Sequence, residues 1–548
     1  MLDLPFERWT LGDALAQRVA RSGDAPFIGM AGGEPVGFRT LQLQVQALAE
    51  ALQRQGVAPG DRVVVMGGNC LTTLRCWFAL NLLGAVDVTI NTAYRGRPLE
   101  HAINTARARL MLVARRHLAA LSECEAQLPL LENALHFDDE SEPAAPPEHV
   151  RFARLRSAPL PLPDEPPAGW QAPGAQPQDL ASIIFTSGTS GPAKGVMLPH
   201  AQTYLVSLES AQQLKLGADD AYYIFHPLFH MSPRYVAVYA ALIAGARVCM
   251  DRVFSASDWL PRIRACGATV SIGHGPILEM IHAIPERPDD ARNPLQRLAR
   301  SRIAQHIGAD FEGVLRLGRL EVWGMTELNI PLWNSLDEPL RPGCGRLASD
   351  EYELQLVDPD TDLPVPAGST GEIVVRGRRP WTLMQGYFGM PEATQKAWRN
   401  LWFHTGDLAW RDEDGCYHFV DRLGDRIRRR AENISSYEIE VAALQHPSVQ
   451  ECAAVGVPSE FESDDDVLLV VVPAAGSFDA LALLAHLARS LPHFMVPRYI
   501  DTLDDLPRTP TNKVRKAALR ERGVTLSTWD RKAQGVELRA LAGSPRPR

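Results

Sequence analysis

Residues 179–200 read DLASIIFTSGTSGPAKGVMLPH, and this stretch decides the fold class of the chain. The apolar run ASIIFT predicts a buried strand, and the Gly/Ser/Thr-rich stretch after it predicts a loop. GVML is a second apolar segment, followed by a helical pattern from about Ala201. A strand that runs through a glycine-rich loop towards a helix is typical of α/β proteins.

The loop itself has the chemistry of a phosphate site. Its glycines allow close approach of the backbone, while hydroxyls, free amides and one lysine supply donors. It is not a Walker loop, because Gly195 rather than Ser or Thr follows the lysine. The glycines and hydroxyls alone are equally typical of a flexible surface turn. The predicted phosphate-binding residues are Thr186, Ser187, Gly188, Thr189, Ser190, Gly191 and Lys194.

Lysine is scarce in this chain. Only six of the 56 basic residues are lysines, at positions 194, 215, 396, 513, 516 and 532, and the rest are arginines. A lysine is a compact point charge, whereas arginine is a wide planar fork, so a site that needs the former does not accept the latter freely. This scarcity favours a functional role for Lys194.

Length and charge limit the classes of protein that remain. A chain of 548 residues exceeds one hydrophobic core, so we expect at least two domains. The net charge of -9 argues against a nucleic-acid binder. The start of the chain lacks the apolar core of a signal peptide, and the apolar run 77–90 is too short for a membrane span. We therefore expect a cytoplasmic protein without stable membrane insertion.

The pattern around the loop predicts the domain organisation. Helical and strand patterns alternate from residue 36 to about 327, interrupted by a Pro/Ala-rich connection over 141–179. From Tyr352 onwards strands dominate, and a compact α/β pattern of roughly 100 residues follows Arg422. We predict an α/β fold in which a large N-terminal domain (1–422) combines α/β subdomains with a β-rich subdomain. A small, mobile α+β C-terminal domain (423–530) and a tail (531–548) follow.

The eight cysteines occur singly. None forms a CxxC pair or a Cys/His cluster of the kind that binds zinc. We expect buried or incidental thiols.

Several further stretches, taken in order, carry a family resemblance. They are WGMTE (323–327), GEIVVRG (371–377), LWFHTGDL (401–408), the stretch 421–440 and PRTPTNKVR (507–515). These stretches and residues 179–200 resemble successive motifs of the adenylate-forming superfamily, and the resemblance covers about residues 10–520. The superfamily includes acyl-CoA synthetases, peptide-synthetase adenylation domains and luciferases. The sequences PLFHMS (227–232) and RIRRRAENISSYEIE (426–440) look closest to those of bacterial crotonobetaine/carnitine-CoA ligase-like acyl-CoA ligases.

The resemblance implies roles for the residues of WGMTE. Trp323 would lie against adenine, Thr326 would donate to the α-phosphate of ATP, and Glu327 would ligate Mg²⁺, which prefers hard oxygen ligands. As a bare pentapeptide the same residues fit a helix start with a solvated glutamate.

The resemblance also implies the ribose contacts and the catalytic cation. Asp407 would accept hydrogen bonds from both ribose hydroxyls, and Arg422 would contact the ribose or a phosphate. Lys513 would stabilise the negative charge that grows on the α-phosphoryl oxygens as pyrophosphate leaves. Either Asp407 or Arg422 also fits a surface turn or ion pair.

The implied reaction has two steps. The substrate carboxylate attacks the α-phosphorus of ATP, and a thiol then attacks the resulting acyl-adenylate. The C-terminal domain would turn about a hinge, by position Gly424, between the two steps. His230 would orient the carboxylate or gate the thiol tunnel, and a core histidine is the alternative.

Two features depart from the family pattern. Residues 297–322 lack the Gly-Gly-Ala-Pro signature of the adenine pocket, and Ala431 stands where relatives commonly place a glycine at the thiol tunnel. Gly273, His274 and Pro276 are candidates for walls of the acyl pocket.

The leading hypothesis is thus an ATP-dependent, AMP-forming acyl-CoA ligase, an acid–thiol ligase of fatty acid or carnitine metabolism. It would use a carboxylic acid, ATP, Mg²⁺ and coenzyme A as thiol substrate. One alternative is an enzyme that loads a carrier protein's pantetheine arm, and another is a nucleotide- or acyl-binding protein without turnover. Whether the chain forms a homodimer stays open.

Overall fold

The structure is a computed structural model. It describes residues 1–139, 150–186, 193–273, 275–282, 284–285, 287–300, 318–338, 343–422, 426–429, 432–461, 464–474, 478–507, 514 and 516–541. Several of the residues singled out from the sequence lie outside the described ranges: Ser187, Gly188, Thr189, Ser190, Gly191, His274, Gly424, Ala431 and Lys513.

The first sheet contains the strand that precedes the glycine-rich loop. Its described strands are mostly parallel, and the loop connects two antiparallel neighbours at one end. In spatial order they are Gly386–Tyr387, Lys194–Pro199, Leu180–Thr186, Val86–Thr89, Arg62–Met66, Leu110–Ala114, Asn133–Phe137 and Arg156–Pro159. The helices of the same stretch of chain are Phe38–Arg54, Leu71–Leu82, Gly96–Ala106 and Leu118–Glu123. The predicted strand over residues 181–186 and the predicted helix from about Ala201 are therefore confirmed, and the apolar segment GVML lies in a second strand, where Lys194 is the register partner of Thr186. The predicted loop lies largely outside the described residues.

The second sheet contains the WGMTE strand. It is parallel in its centre and antiparallel at both ends. In spatial order its described strands are Arg346–Leu347, Asn329–Trp333, Gly318–Met325, Arg297–Arg300, Val270–Gly273, Ala221–Ile224, Arg247–Met250, Pro26–Met30 and Val36–Gly37. The helices of this part of the chain are Leu11–Ser22, His200–Gln213, the π-helix Ser232–Tyr239, Ala240–Ala244, Ala256–Cys266 and Gly275–His282.

The third sheet is the predicted β-rich subdomain. It is fully antiparallel, and strand Gly371–Gly377 is buried over its first five residues. The strands are Tyr352–Val357, Gly371–Gly377, Phe403–Arg411 and Tyr417–Arg422, and helix Pro391–Ala397 with the short 3₁₀ turn Arg399–Leu401 lies between the second and third.

Residues 426–541, here called the C-terminal lobe, have hydrophobic cores of their own. A hairpin (Arg426–Arg429 and Glu432–Ser435) precedes a small sheet and its helices. The sheet strands are Val449–Pro458, Asp465–Pro473, Tyr499–Thr502 and Trp529–Asp530, and the helices are Ser436–Ala443, Ala480–Ser490, Lys516–Arg522 and Leu538–Leu541. The predicted α/β fold with a large N-terminal part and a small C-terminal part is confirmed. The boundaries at 422 and 530 stay predictions, and Leu538 packs into the lobe's core.

One pair of cysteines and the character of the helices also bear on the predictions. The structure joins Cys249 to Cys266 in a disulfide, so the expectation of free thiols is wrong for this pair. Strand Arg247–Met250 and helix Ala256–Cys266 bring the two cysteines together, which their separation of 17 residues does not reveal. Within the described part of the chain, every helix is too short or too polar to span a bilayer.

Candidate active site

Trp323 and Asp407 meet in the interior, although they are 84 residues apart in the chain. Trp323 lies near the end of strand Gly318–Met325, and Asp407 lies in strand Phe403–Arg411 of a different sheet. The indole Nε1 of Trp323 donates a hydrogen bond of 3.0 Å to Asp407 Oδ2. Both residues are buried, at 7% and 2% exposure. Two of the predicted nucleotide-binding residues are thus in direct contact.

The backbone of Arg422 is also close to Asp407. The two residues are register partners in the antiparallel pairing of strands Phe403–Arg411 and Tyr417–Arg422. The contact follows from a short hairpin, because only a few residues separate these strands. The sequence therefore brings a third predicted residue to the same point of the third sheet.

A second group of contacts joins Lys194 to Glu327. The hydroxyl of Tyr387 donates to Glu327 Oε1 at 3.1 Å, and the Lys194 ammonium lies 4.7 Å from the centre of the Tyr387 ring. Burial lowers the pKa of Lys194, and the nearby Glu327 carboxylate opposes that shift. Burial, together with the charge of Glu327, raises the pKa of Tyr387 well above its usual range, so the phenol stays a donor. The site therefore combines a partly desolvated cation with a carboxylate.

The turn at the end of WGMTE is held through the backbones of Thr326 and Glu327. Gln202, which is buried on helix His200–Gln213, donates from Nε2 to the carbonyl of Thr326 at 3.1 Å. The amide of Met384 donates to the carbonyl of Glu327 at 3.0 Å. A Cβ on Gly324 would lie 2.1 Å from the carbonyl oxygen of Asn329, so the tight approach requires glycine. Two distant segments and a close approach within the turn itself thus fix its conformation.

The ends of the glycine-rich loop are held in place as well. Thr186 and Lys194 face each other across the antiparallel pair that flanks the loop. At the residue before Lys194, His101 Nε2 lies 2.9 Å from the carbonyl oxygen of Ala193. The amide of Ala193 donates to Glu438 Oε1 at 3.1 Å, and Glu438 belongs to the C-terminal lobe. The lobe therefore contacts the chain one residue before Lys194.

His230 lies in a separate segment. Its ring packs against Phe229 with centroids 4.5 Å apart, just before the π-helix Ser232–Tyr239. The segment is fixed by buried Asn69, which donates to the carbonyl of His226 and accepts from the amide of Leu228. The ring of His230 takes no part in the contacts that join Trp323 to Asp407 or Lys194 to Tyr387. Its role stays a prediction.

Some residues of the site were not predicted from the sequence. The local sequence does not mark three of them, Tyr387, Gln202 and Glu438, as site residues. Each bonds to a partner at least 60 residues away in the chain. The scarcity of lysine was the signal that singled out Lys194.

The donors present fit a nucleoside triphosphate with a divalent cation. An ammonium suits anionic phosphate oxygens, and a carboxylate such as Glu327 is the oxygen ligand that Mg²⁺ prefers. A second carboxylate, on Asp407, has two oxygens that are able to accept from a pair of vicinal hydroxyls. The indole of Trp323 offers a flat apolar face to a base.

Comparison with known protein families agrees with this chemistry. The family model of the AMP-binding enzymes matches residues 15–388, and the model of the AMP-binding enzyme C-terminal domain matches residues 438–513. The chain belongs to the AMP-binding enzyme family. The resemblance predicted from the sequence motifs is confirmed, as is the prediction of an enzyme.

Individual relatives extend over nearly the whole chain. A crotonobetaine/carnitine–CoA ligase of Salmonella heidelberg is 27% identical, over 88% of this chain and 92% of that protein. Two solved structures share the fold, each with a TM-score of 0.78. The o-succinylbenzoate CoA synthetase MenE of Bacillus subtilis is 22% identical, over 94% of this chain and 99% of its own. The amide bond synthetase McbA of Marinactinospora thermotolerans is 24% identical, over 93% and 99%.

Proposed function

We propose that this protein is an ATP-dependent, AMP-forming acyl-CoA ligase. A carboxylate attacks the α-phosphorus of ATP, pyrophosphate leaves, and the thiol of coenzyme A then displaces AMP from the acyl-adenylate. The observation that carries the proposal is a pair of contact groups linked by the WGMTE stretch: Trp323 donates to Asp407, and Glu327 and Lys194 both contact Tyr387. The family match and the names of the curated relatives, which are CoA ligases, support it.

In the first step the chain binds and orients the nucleotide. Asp407, with Arg422 beside it in the hairpin, accepts the ribose hydroxyls, and Trp323 covers the adenine. The hydroxyls of the loop over Thr186–Ser190 and the Lys194 ammonium hold the β- and γ-phosphates, while Thr326 donates to the α-phosphate. Glu327 would hold Mg²⁺, which neutralises phosphate charge when bound.

Lys513 supplies a positive charge whose interaction with the α-phosphoryl group is strongest in the transition state. As the bond to pyrophosphate breaks, negative charge grows on the α-phosphoryl oxygens, and an ammonium placed there stabilises it. Removing one such electrostatic donor costs about 10²–10³ in rate in other enzymes. We assign Lys513 this role because of its position in PRTPTNKVR and the scarcity of lysine in the chain.

In the second step the C-terminal lobe turns about Gly424 and admits the thiol. Because relatives commonly have a glycine at this position of the thiol tunnel, Ala431 would add a methyl group there, and we propose that thioester formation is the slower half-reaction. His230 orients the carboxylate or gates this tunnel. The curated relatives make crotonobetaine and carnitine the first acids to test, and we place the reaction in the cytoplasm.

The test is pyrophosphate release from a panel of carboxylic acids, with and without coenzyme A. Wild type should release pyrophosphate with a good acid and form AMP and a thioester only when coenzyme A is present. Lys513→Ala should lower adenylation at least 100-fold. Lys215→Ala is the matched control, because Lys215 is an exposed partner of Asp337 and should leave the rate unchanged.

Three outcomes would contradict the proposal or part of it. If Lys513→Ala forms adenylate as fast as wild type, the assignment of Lys513 is wrong. If adenylate forms but free coenzyme A gives no thioester, a carrier-protein acceptor replaces coenzyme A. If no acid releases pyrophosphate while ATP still binds, the protein binds nucleotide without turnover.

A further inference from the structure

We propose that Glu372 is the positioning residue that holds Asp407 in its binding geometry. Glu372 lies on strand Gly371–Gly377, next to the strand that carries Asp407. The inference rests on the ribose role proposed for Asp407 and adds a residue that does not itself touch the nucleotide.

Asp407 lies on a bulge of its strand. Val374 pairs with His404 and Glu372 pairs with Leu408, so one residue on one strand faces three on the other. The three residues that face Ile373 are Thr405, Gly406 and Asp407, and Gly406 has a φ of 70°. A bulge re-aims side chains and leaves backbone groups without ladder partners. Something other than the sheet must therefore fix this conformation.

Glu372 supplies that fixation. Its Oε1 accepts a hydrogen bond of 2.9 Å from the amide of Gly406, the central residue of the bulge. The hydroxyl of Thr405 donates to the carbonyl of Ile373 at 2.7 Å and accepts from the amide of Asp407 at 3.0 Å. Each bulge residue is thus tied to strand Gly371–Gly377 directly or through its neighbour.

Two side chains, His404 and Arg399, contact the buried carboxylate of Glu372. Glu372 is 2% exposed, and a buried carboxylate is stable only when it is paired and hydrogen-bonded. Its Oε2 lies 2.9 Å from Nδ1 of His404 and accepts from Arg399 Nη2 at 3.2 Å. Arg399 is in turn bound by both oxygens of Asp362 at 2.9 Å. A continuous network therefore runs from Asp362 to the bulge.

The same atoms are close enough together to suggest a metal site, but Arg399 provides a simpler account. Donor atoms of Asp362, Glu372 and His404 lie within 4.8 Å of one another. The guanidinium of Arg399 contacts both carboxylates and offsets part of their charge, which lessens the need for a bound cation. The cluster of Asp362, Glu372, His404 and Arg399 therefore supports the bulge.

The experiment compares ATP with 2′-deoxyATP in pyrophosphate release with a good acid. Asp407 recognises the ribose hydroxyls, so wild type should prefer ATP by about tenfold or more in kcat/KM. Asp407→Ala should bring the ratio near one. Glu372→Ala should lower the ratio at least threefold, whereas Glu372→Gln keeps an acceptor for Gly406 and should retain most of it. Both nucleotides are measured on one sample, so loss of folded enzyme lowers both rates and leaves the ratio unchanged.

A matched control and a second variant guard against trivial results. Glu353→Ala removes a carboxylate of the same sheet that pairs with Arg376, and it should leave the ratio at the wild-type value. If Glu372→Ala does not fold, Glu372→Asp keeps the charge for Arg399 but withdraws the acceptor from Gly406, and the ratio should again fall.

The outcomes separate this inference from the proposed function. A collapsed ratio in Asp407→Ala with an unchanged ratio in Glu372→Ala or Glu372→Asp overturns the positioning role alone. An unchanged ratio in Asp407→Ala overturns the ribose role of Asp407, and the inference with it. A threefold loss that Glu372→Gln restores and Glu353→Ala does not reproduce supports both.

Discussion

Trp323 Nε1 donates a hydrogen bond of 3.0 Å to Asp407 Oδ2 and thereby couples the two motifs that are proposed to bind adenine and ribose. The bond is buried and its acceptor is a carboxylate, which makes it stronger than a bond between neutral groups. Trp323 belongs to the second sheet, whereas Glu372 belongs to the third, so Asp407 is supported from two sheets.

Replacing Trp323 by Phe tests this bond. The ring is largely kept while the donor is lost, which should cost about 1.5 kcal/mol of nucleotide binding and raise KM for ATP roughly tenfold. The value of kcat should change less. Trp410→Phe is the control, because Trp410 stacks on His418 instead. An unchanged KM for ATP in Trp323→Phe would contradict the proposed coupling.

The buried ion pair of Asp87 and Arg234 joins the first sheet to the π-helix Ser232–Tyr239. The two groups are 2.5 Å apart with side-chain exposures of 0% and 2%, and Arg234 also lies 4.2 Å over the ring of Trp77. Asp87→Ala leaves the guanidinium buried and unpaired, so it should lower the free energy of unfolding by roughly 3–5 kcal/mol. Urea denaturation measures the loss.

The exposed pair of Arg39 and Asp24 is the control for this prediction. Asp24→Ala should cost less than about 1 kcal/mol, since exposed ion pairs contribute little. The double variant Asp87→Leu/Arg234→Met removes both charges and should recover most of the stability. Equal losses in Asp87→Ala and Asp24→Ala would show that the buried pair is not a structural anchor.

Glu209 should make stability fall as pH rises. It is 2% exposed, and Tyr352 donates to its Oε2 at 2.6 Å. Burial raises the pKa of Glu209 from 4.5 to about 8, and the hydroxyls of Ser349 and Tyr352 oppose the shift. Between these two values the folded chain holds a proton that the unfolded chain has lost, so the free energy of unfolding decreases with pH across this window and levels off above it.

Glu209→Gln should remove that slope. The total effect in wild type is at most about 5 kcal/mol between pH 4.5 and 8. Urea unfolding at pH 5, 6.5 and 8 should show the Gln variant gaining on wild type as pH rises. Parallel pH profiles for the two proteins would mean that Glu209 ionises normally in the folded state.

Glu438 should make docking of the C-terminal lobe depend on pH. Burial raises the pKa of Glu438 from 4.5 to about 7, while the hydrogen bond from the Ala193 amide opposes the shift. The docked arrangement therefore binds a proton more tightly than an undocked one, and docking should strengthen as pH falls from about 7 towards 4.5. The change is worth up to roughly 3 kcal/mol.

Energy transfer between dyes on the two parts of the chain measures this docking. Wild type should show a transition in this pH range, and Glu438→Gln, which is neutral at every pH, should show none. Glu451→Gln is the control, since Glu451 lies on a strand of the lobe and has no contact with Ala193 among those described. The same transition in wild type and Glu438→Gln would assign it to another group.

Local sequence determined the strand before the glycine-rich loop and the helix from about residue 200. It also determined the α/β and β-rich parts of the fold, and the choice of Trp323, Glu327 and Asp407 as candidate site residues. Strands are encoded by short apolar patterns, and the chemical groups of a ligand site reside in the same short motifs. The roles of Ser187–Gly191, Gly424, Ala431 and Lys513 rest on the sequence and stay predictions.

Tertiary structure alone decided which residues support that site. Glu372 looks like any strand carboxylate, Gln202 like any helix amide, and Glu438 like a surface acid, until packing sets each beside the backbone group it holds. Their burial and partners arise from contacts between segments far apart in the chain, and a residue type carries no record of its distant partner. The free energy of such contacts depends on desolvation and distance, which only the folded arrangement fixes.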